Sequence, residues 1–227
     1  MKRIAIIGFV LASAGELLAS FIQSEMIHLV CKPLIMAFLG IYYWASTVNT
    51  EHRSSSVVVA ILFSLAGDVL LMLQKNNEQF FIFGLAAFLV AHIFYIFAYR
   101  QHRFESHPDE LQGVQRIRLA FPVILAGTGL VFVLYPVLGA LKVPVVLYSI
   151  VIVVMVLNAL FRYGRTGAKS YWMVFIGAVL FMISDSMIAI DKFLSPVNEA
   201  EFLVMSTYIA AQLLIVEGLL DHHRKKR

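Results

Sequence analysis

The chain has 227 residues, 60% of them in the set AVILMFWYC and 14% charged, with a formal net charge of +4. Soluble domains run at about 45–50% apolar and about 25% charged, so disorder and an ordinary soluble fold are both excluded. The single cysteine, Cys31, leaves no disulfide framework or cysteine-rich zinc site. The basic residues fall between apolar runs rather than on one soluble face, which argues against a nucleic-acid partner.

A bilayer core of about 30 Å takes about 20 apolar residues per helix. Eight such runs follow one another, at residues 4–22, 28–45, 56–74, 79–99, 117–138, 143–161, 171–190 and 200–220. Backbone groups in lipid must be satisfied within a helix or a closed barrel, and barrel strands would alternate over about 10 residues. The runs are therefore predicted helices. The opening Met1-Lys2-Arg3 and the triplet Ala12-Ser13-Ala14 imitate a secretory signal and its cleavage site, but the apolar run continues past Glu16, and we read it as an uncleaved first helix. The expectation is an all-α polytopic membrane protein with eight transmembrane helices in a single domain over residues 1–227.

Lysine and arginine orient the predicted helices, because each loop is short enough for the positive-inside bias to act. One side carries Lys2, Arg3, Arg53, Arg100, Arg103, Arg116, Arg118, Arg162, Arg165, Lys169, Arg224, Lys225, Lys226 and Arg227; the other carries Lys75, Lys142 and Lys192. This asymmetry places both termini in the cytoplasm. The basic tail then reads as an orienting signal and a contact for anionic lipid.

Ionisable groups inside a span are costly unless paired or solvated, so each is a functional candidate. Glu16, Lys32, Asp68, His92, Asp185 and Glu217 fall in predicted helices 1, 2, 3, 4, 7 and 8. At a rise of 1.5 Å per residue, Asp68, Asp185 and Glu16 lie roughly 8 to 9 Å below the outer surface and Lys32 about 6 Å below it. Three carboxylates and one ammonium at similar depth suggest one polar pocket. The plainer alternative is an ion pair between Lys32 and one acid that holds helices together. Small residues beside the acids, Ser64 and Gly67 in helix 3 and Gly177 and Ser184 in helix 7, permit close helix approach. Helices 3 and 7 run in the same direction and share a short Leu-Phe…Asp pattern, compatible with a tandem four-plus-four arrangement.

Two carboxylates at one pocket suit general acid and base catalysis, and equally suit proton-coupled transport. No serine-nucleophile elbow, zinc motif or phosphate-cradling glycine loop is present in the sequence. His92 shares a helix face with Phe88, Tyr95 and Tyr99. Tyr208 and Gln212 in helix 8 and Asn158 in helix 6 read first as interhelical hydrogen-bond partners. Together with Lys32 and Glu16, the residues His92, Tyr95, Tyr208 and Gln212 complete the candidate substrate-binding set. Tyr42, Tyr43, Trp44, Tyr171 and Trp172 sit at span ends, where an aromatic belt is expected.

Lys32-Pro33-Leu34-Ile35-Met36, the run from Phe63 through Gly67-Asp68 to Met72, Phe83-Gly84-Leu85 with Ala91-His92-Ile93-Phe94-Tyr95, Gly177 through Ser184-Asp185-Ser186, and Tyr208 through Gln212 to Ile215 together resemble the YhhN family of lysoplasmalogenases. The resemblance covers helices 2 to 8, and helix 1 with Glu16 matches only in character. It implies an eight-span ether hydrolase that cleaves the vinyl ether bond of lysoplasmalogens, releasing a fatty aldehyde and glycerophosphoethanolamine or glycerophosphocholine. It implies no cofactor, and the partners are a lysophospholipid substrate and the bilayer; no metal site is expected, and the orientation read from the loops is most simply that of a bacterial inner membrane. Asp68 and Asp185 are then the expected catalytic pair, with Lys32 tuning one of them or meeting the substrate phosphate and Glu16 auxiliary. The competing class is a proton-coupled transporter or flippase for a small or lipidic solute.

Overall fold

The computed structural model describes residues 1–48, 50, 53–75, 77–104 and 110–224. Among these the regular structure is wholly helical: α1 (Lys2–Ile22), α2 (Glu25–Thr47), α3 (Ser55–Met72), α4 (Gln79–Gln101), α5 (Gly113–Leu134), α6 (Lys142–Leu160), α7 (Ala168–Phe193) and α8 (Ala200–Arg224), with short 3-10 turns after α3 and before α6. All eight are long and apolar enough to cross a membrane, so the chain is an integral membrane protein. Lys225, Lys226 and Arg227 of the basic tail lie outside the described residues.

The helix boundaries depart from the apolar runs where backbone chemistry intervenes. The fifth run extends to Leu138, but α5 stops at Leu134: Tyr135 still has helical dihedrals (φ −52°, ψ −40°), and Pro136 after it has no N–H to give the Phe132 carbonyl. At its other end α5 begins at Gly113, drawing Arg116 and Arg118 into the helix. In α2, Glu25 opens the helix three residues ahead of the apolar run. The α1–α2 connection needs only Gln23 and Ser24, since Gln23 takes a left-handed conformation (φ 54°, ψ 41°) and its N–H bonds to the Ala19 carbonyl. Pro33 stands inside α2, where it deprives the Leu29 carbonyl of its helical donor one turn from Lys32.

The chain divides into two compact units, residues 1–98 and 99–227. The division falls near the end of α4. In the first unit α1 packs on α2 and α2 on α3, while Gly67 of α3 faces the Phe88 ring of α4, 2.6 Å from where a β-carbon would stand. In the second unit α7 and α8 form the most extensive contact, and α6 packs against α5 and α7. A β-carbon at Gly177 would lie 2.9 Å from the Ala211 carbonyl oxygen and 2.8 Å from Ile215 Cγ1, so glycine sets the α7–α8 separation. Large apolar side chains such as Phe21, Val30, Phe132 and Leu147 are exposed on the helices, as expected where the solvent is lipid.

The aromatic residues at the span ends divide by type. Trp44 and Trp172 are about half exposed, whereas Tyr42, Tyr43 and Tyr171 are buried. The Tyr43 hydroxyl accepts the Ser54 N–H at 3.1 Å, so it closes a connection between helices and takes no place in a belt.

Candidate functional site

Within the first unit, Asp68 lies four residues before the end of α3 and is 2% exposed. Its neighbours follow from helical spacing. Gly67 beside it admits the Phe88 ring, and Ser64, one turn earlier on the same face, is fully buried. The Tyr95 hydroxyl of α4, also fully buried, hydrogen-bonds with Ser64 and lies in the field of the Asp68 carboxylate. Tyr95 and Asp68 are thus brought together, by a serine whose role in the sequence was read only as making space. His92, one turn before Tyr95, is likewise fully buried in α4.

Glu16 is fully buried in α1, and its Oε1 lies 2.8 Å from Nδ1 of His28, in the first turn of α2. His28 carried no signal in the sequence because it sits at the edge of an apolar run, where a histidine ordinarily meets the interface. Glu16 thus faces a histidine on the neighbouring helix. Lys32 itself is partly exposed, seven residues into α2.

Within the second unit, Asp185 is part-buried in α7, eight residues before the end of that helix. The Tyr148 hydroxyl of α6 donates to Asp185 Oδ2 at 2.5 Å. This hydrogen bond orients the Asp185 carboxyl group toward α6. Tyr148 also went unsingled in the sequence, because a tyrosine within a valine-rich span reads as packing until its hydroxyl is located. Ser184, next to Asp185, donates to the Val204 carbonyl of α8 at 3.1 Å and ties α7 to α8. Tyr208 and Gln212 are buried in α8, and Tyr208 stands edge-on to Phe181 with ring centroids 5.4 Å apart. Asn158 is the interhelical hydrogen-bond partner expected, accepting from Arg100 Nε at 2.9 Å.

Arg162 corrects the reading of the loop arginines as orienting charges alone, being fully buried just beyond α6. Its Nε and Nη2 both donate to the His102 carbonyl, at 3.1 and 3.0 Å, while Nη2 donates to Ser170 Oγ at 2.9 Å and Nη1 to the Ser170 carbonyl at 3.4 Å. Burial pushes its guanidinium down to about 10, which still leaves it protonated at neutral pH. The side chain joins the segment after α4 to α7.

The sequence profile of the YhhN family matches residues 27–219, all but the first helix and the C-terminal tail. This chain belongs to the YhhN family. Its similarities within known proteins agree. Lysoplasmalogenase TMEM86A of Homo sapiens is 31% identical over 198 residues, covering 84% of this chain and 76% of that protein. Lysoplasmalogenase TMEM86A of Bos taurus is 32% identical over 196 residues with the same coverage. Lysoplasmalogenase of Mycobacterium tuberculosis is 31% identical over 197 residues, 84% of this chain and 71% of that protein. No solved structure matches the chain. The part of the chain matched by the YhhN profile includes Lys32, Asp68, His92, Tyr95, Tyr148, Asp185, Tyr208 and Gln212, and begins after Glu16.

Proposed function

We propose that this YhhN-family protein is a lysoplasmalogenase: an ether hydrolase that cleaves the vinyl ether of 1-alkenyl-glycerophosphoethanolamine or -choline, with Asp68 and Asp185 dividing the acid and base roles. The observation that carries the reading is the similarity, at about 31% identity over 84% of the chain, to proteins named lysoplasmalogenase from both a mammal and a bacterium. The chemistry of the residues supports it. A vinyl ether hydrolyses by protonation at its β-carbon, which moves the double-bond electrons onto that new C–H bond and leaves an oxocarbenium ion. Water adds to the cationic carbon and loses a proton, and the hemiacetal then expels the glycerol oxygen, which takes up a proton, while the hemiacetal hydroxyl gives up its own as the aldehyde carbonyl forms. One acid, one base and negative charge near the cation are sufficient.

Asp68, shielded in α3 beside Tyr95 and Ser64, and Asp185, oriented by Tyr148, are two carboxyl groups in different surroundings, the condition under which one carries the proton and the other the charge. Lys32 meets the substrate phosphate or tunes one of the acids, Glu16 with His28 is auxiliary, and His92, Tyr95, Tyr208 and Gln212 are substrate contacts. The charge asymmetry of the loops supports an orientation with both termini in the cytoplasm, most simply in a bacterial inner membrane. The test is incubation of the detergent-purified protein with a lysoplasmalogen and detection of fatty aldehyde. Wild type is expected to release it; protein that is folded and inert toward such lipids would contradict the proposal.

A further inference from the structure

The first unit contains an apolar cavity to which the reading so far gives no role. About 360 Å³ in volume, it lies between α2 and α3 and is walled by Ala37, Gly40 and Trp44 on one side and Val58, Leu62 and Leu65 on the other. Its lining is apolar, and it is open laterally, since Leu62 and Trp44 are each about half exposed. Gly40 makes the room: a β-carbon there would already stand 3.4 Å from Ile61 Cγ2, so any longer side chain would project into the space between the helices.

The register ties this cavity to the candidate site. On α3, Leu65 and Ile61 precede Asp68 by three and seven residues and share its face, so the cavity begins about 4.5 Å along the helix from Asp68. On α2, Lys32, Met36 and Gly40 are spaced four apart, and Met36 and Gly40 line the cavity. Along the helices the order is therefore an ammonium, a carboxyl group, then an apolar channel running about 10 Å from Leu65 to Val58. At the far end the channel has a fixed floor. Tyr43 is held by the Ser54 N–H at 3.1 Å, and the Trp44 ring is covered by the Arg53 guanidinium, 4.1 Å from its centroid.

A lysoplasmalogen has the same order of parts: charged headgroup, vinyl ether beside the glycerol, single hydrocarbon chain. Resting on the hydrolase reading above, we propose that the α2–α3 channel binds the alkenyl chain of the substrate, with Tyr43 and Trp44 as the stop that sets preferred chain length. Lipid tails are as apolar as the channel, so the channel gains little from burying a chain that the bilayer already solvates. Its work is positional: a chain seated against the floor holds the ether at the level of Asp68. Displacement of reacting groups by about 1 Å can cost up to about a hundredfold in rate.

The experiment compares long-chain and short-chain lysoplasmalogens of one headgroup with wild type, Ala37→Phe, which fills the channel, and Trp44→Ala, which opens its floor. Ala37→Phe is expected to lower kcat/KM for the long chain about ten- to a hundredfold and leave the short chain within about twofold of wild type. Trp44→Ala is expected to shift the optimum toward longer chains. Parallel loss on both substrates, or no change on either, overturns the channel while leaving the hydrolase reading intact; a wild type inert toward both lipids overturns that reading and the channel with it. As a second measurement, a lysophospholipid with a photoreactive group at its chain terminus should label α2 and α3 peptides around Ile41, Trp44 and Leu62. Labelling elsewhere, or labelling displaced as well by diacyl phospholipid as by lysolipid, identifies an ordinary lipid-facing surface and also overturns the proposal.

Discussion

Replacing Tyr148 by phenylalanine removes one oxygen and leaves the ring in place, so it isolates the 2.5 Å hydrogen bond to Asp185 from the packing of α6 on α7. Hydrogen bonds to charged groups contribute about 1.5–3 kcal/mol. At about 1.36 kcal/mol per tenfold in rate, loss of an interaction needed to hold Asp185 in its reactive geometry lowers kcat/KM about ten- to 150-fold. The assay is aldehyde release from a lysoplasmalogen by purified protein, alongside thermal unfolding in the same detergent. Tyr148→Phe should lose activity at a nearly unchanged unfolding temperature. Activity within twofold of wild type would refute the assignment of Tyr148 as the residue that positions Asp185. So would a loss of activity that merely tracks loss of folded protein, since the bond would then serve the fold alone.

Three further outcomes follow from other parts of the structure. Gly67→Leu forces a side chain into the Phe88 ring beside Asp68 and should destabilise the protein by about 1–3 kcal/mol, with partial recovery when Phe88 is also reduced to alanine; thermal unfolding of the single and double variants checks it. Arg162→Leu leaves the buried His102 and Ser170 acceptors without their donor and should cost about 3–5 kcal/mol of stability, while the protein that remains folded keeps its kcat/KM. His28→Ala strands Glu16 in the interior and should destabilise strongly, by about 3–5 kcal/mol, whereas His28→Ala combined with Glu16→Gln should recover most of that loss, as measured by unfolding in detergent.

The helices were legible because a membrane span writes itself as a length of apolar sequence, and all eight runs correspond to helices. Their ends were less so. The apolar run through Leu138 conceals the stop that Pro136 imposes at Leu134, and the polar opening of α2 at Glu25 carries no hydropathy at all. Asp68 and Asp185 were legible as candidates because a carboxyl group in a span needs a reason. Their partners were not, since the hydroxyls of Tyr95 and Tyr148 belong to side chains that apolar runs tolerate, and only three-dimensional placement shows which way each points. Arg162 was hidden by the rule that located it: counting loop charges gives the side of the membrane and says nothing of burial. The same holds for Tyr43, which position assigned to the interfacial belt and which instead turns inward to Ser54.

The central claim is that Asp68 and Asp185 carry the acid and base chemistry of vinyl ether cleavage. The most direct measurement is aldehyde release from one lysoplasmalogen by wild type, Asp68→Asn and Asp185→Asn, each shown to be folded by its unfolding transition in detergent. The account predicts that wild type releases aldehyde and that either single change reduces kcat by about a hundredfold or more. Either variant, folded and retaining full activity, would contradict it.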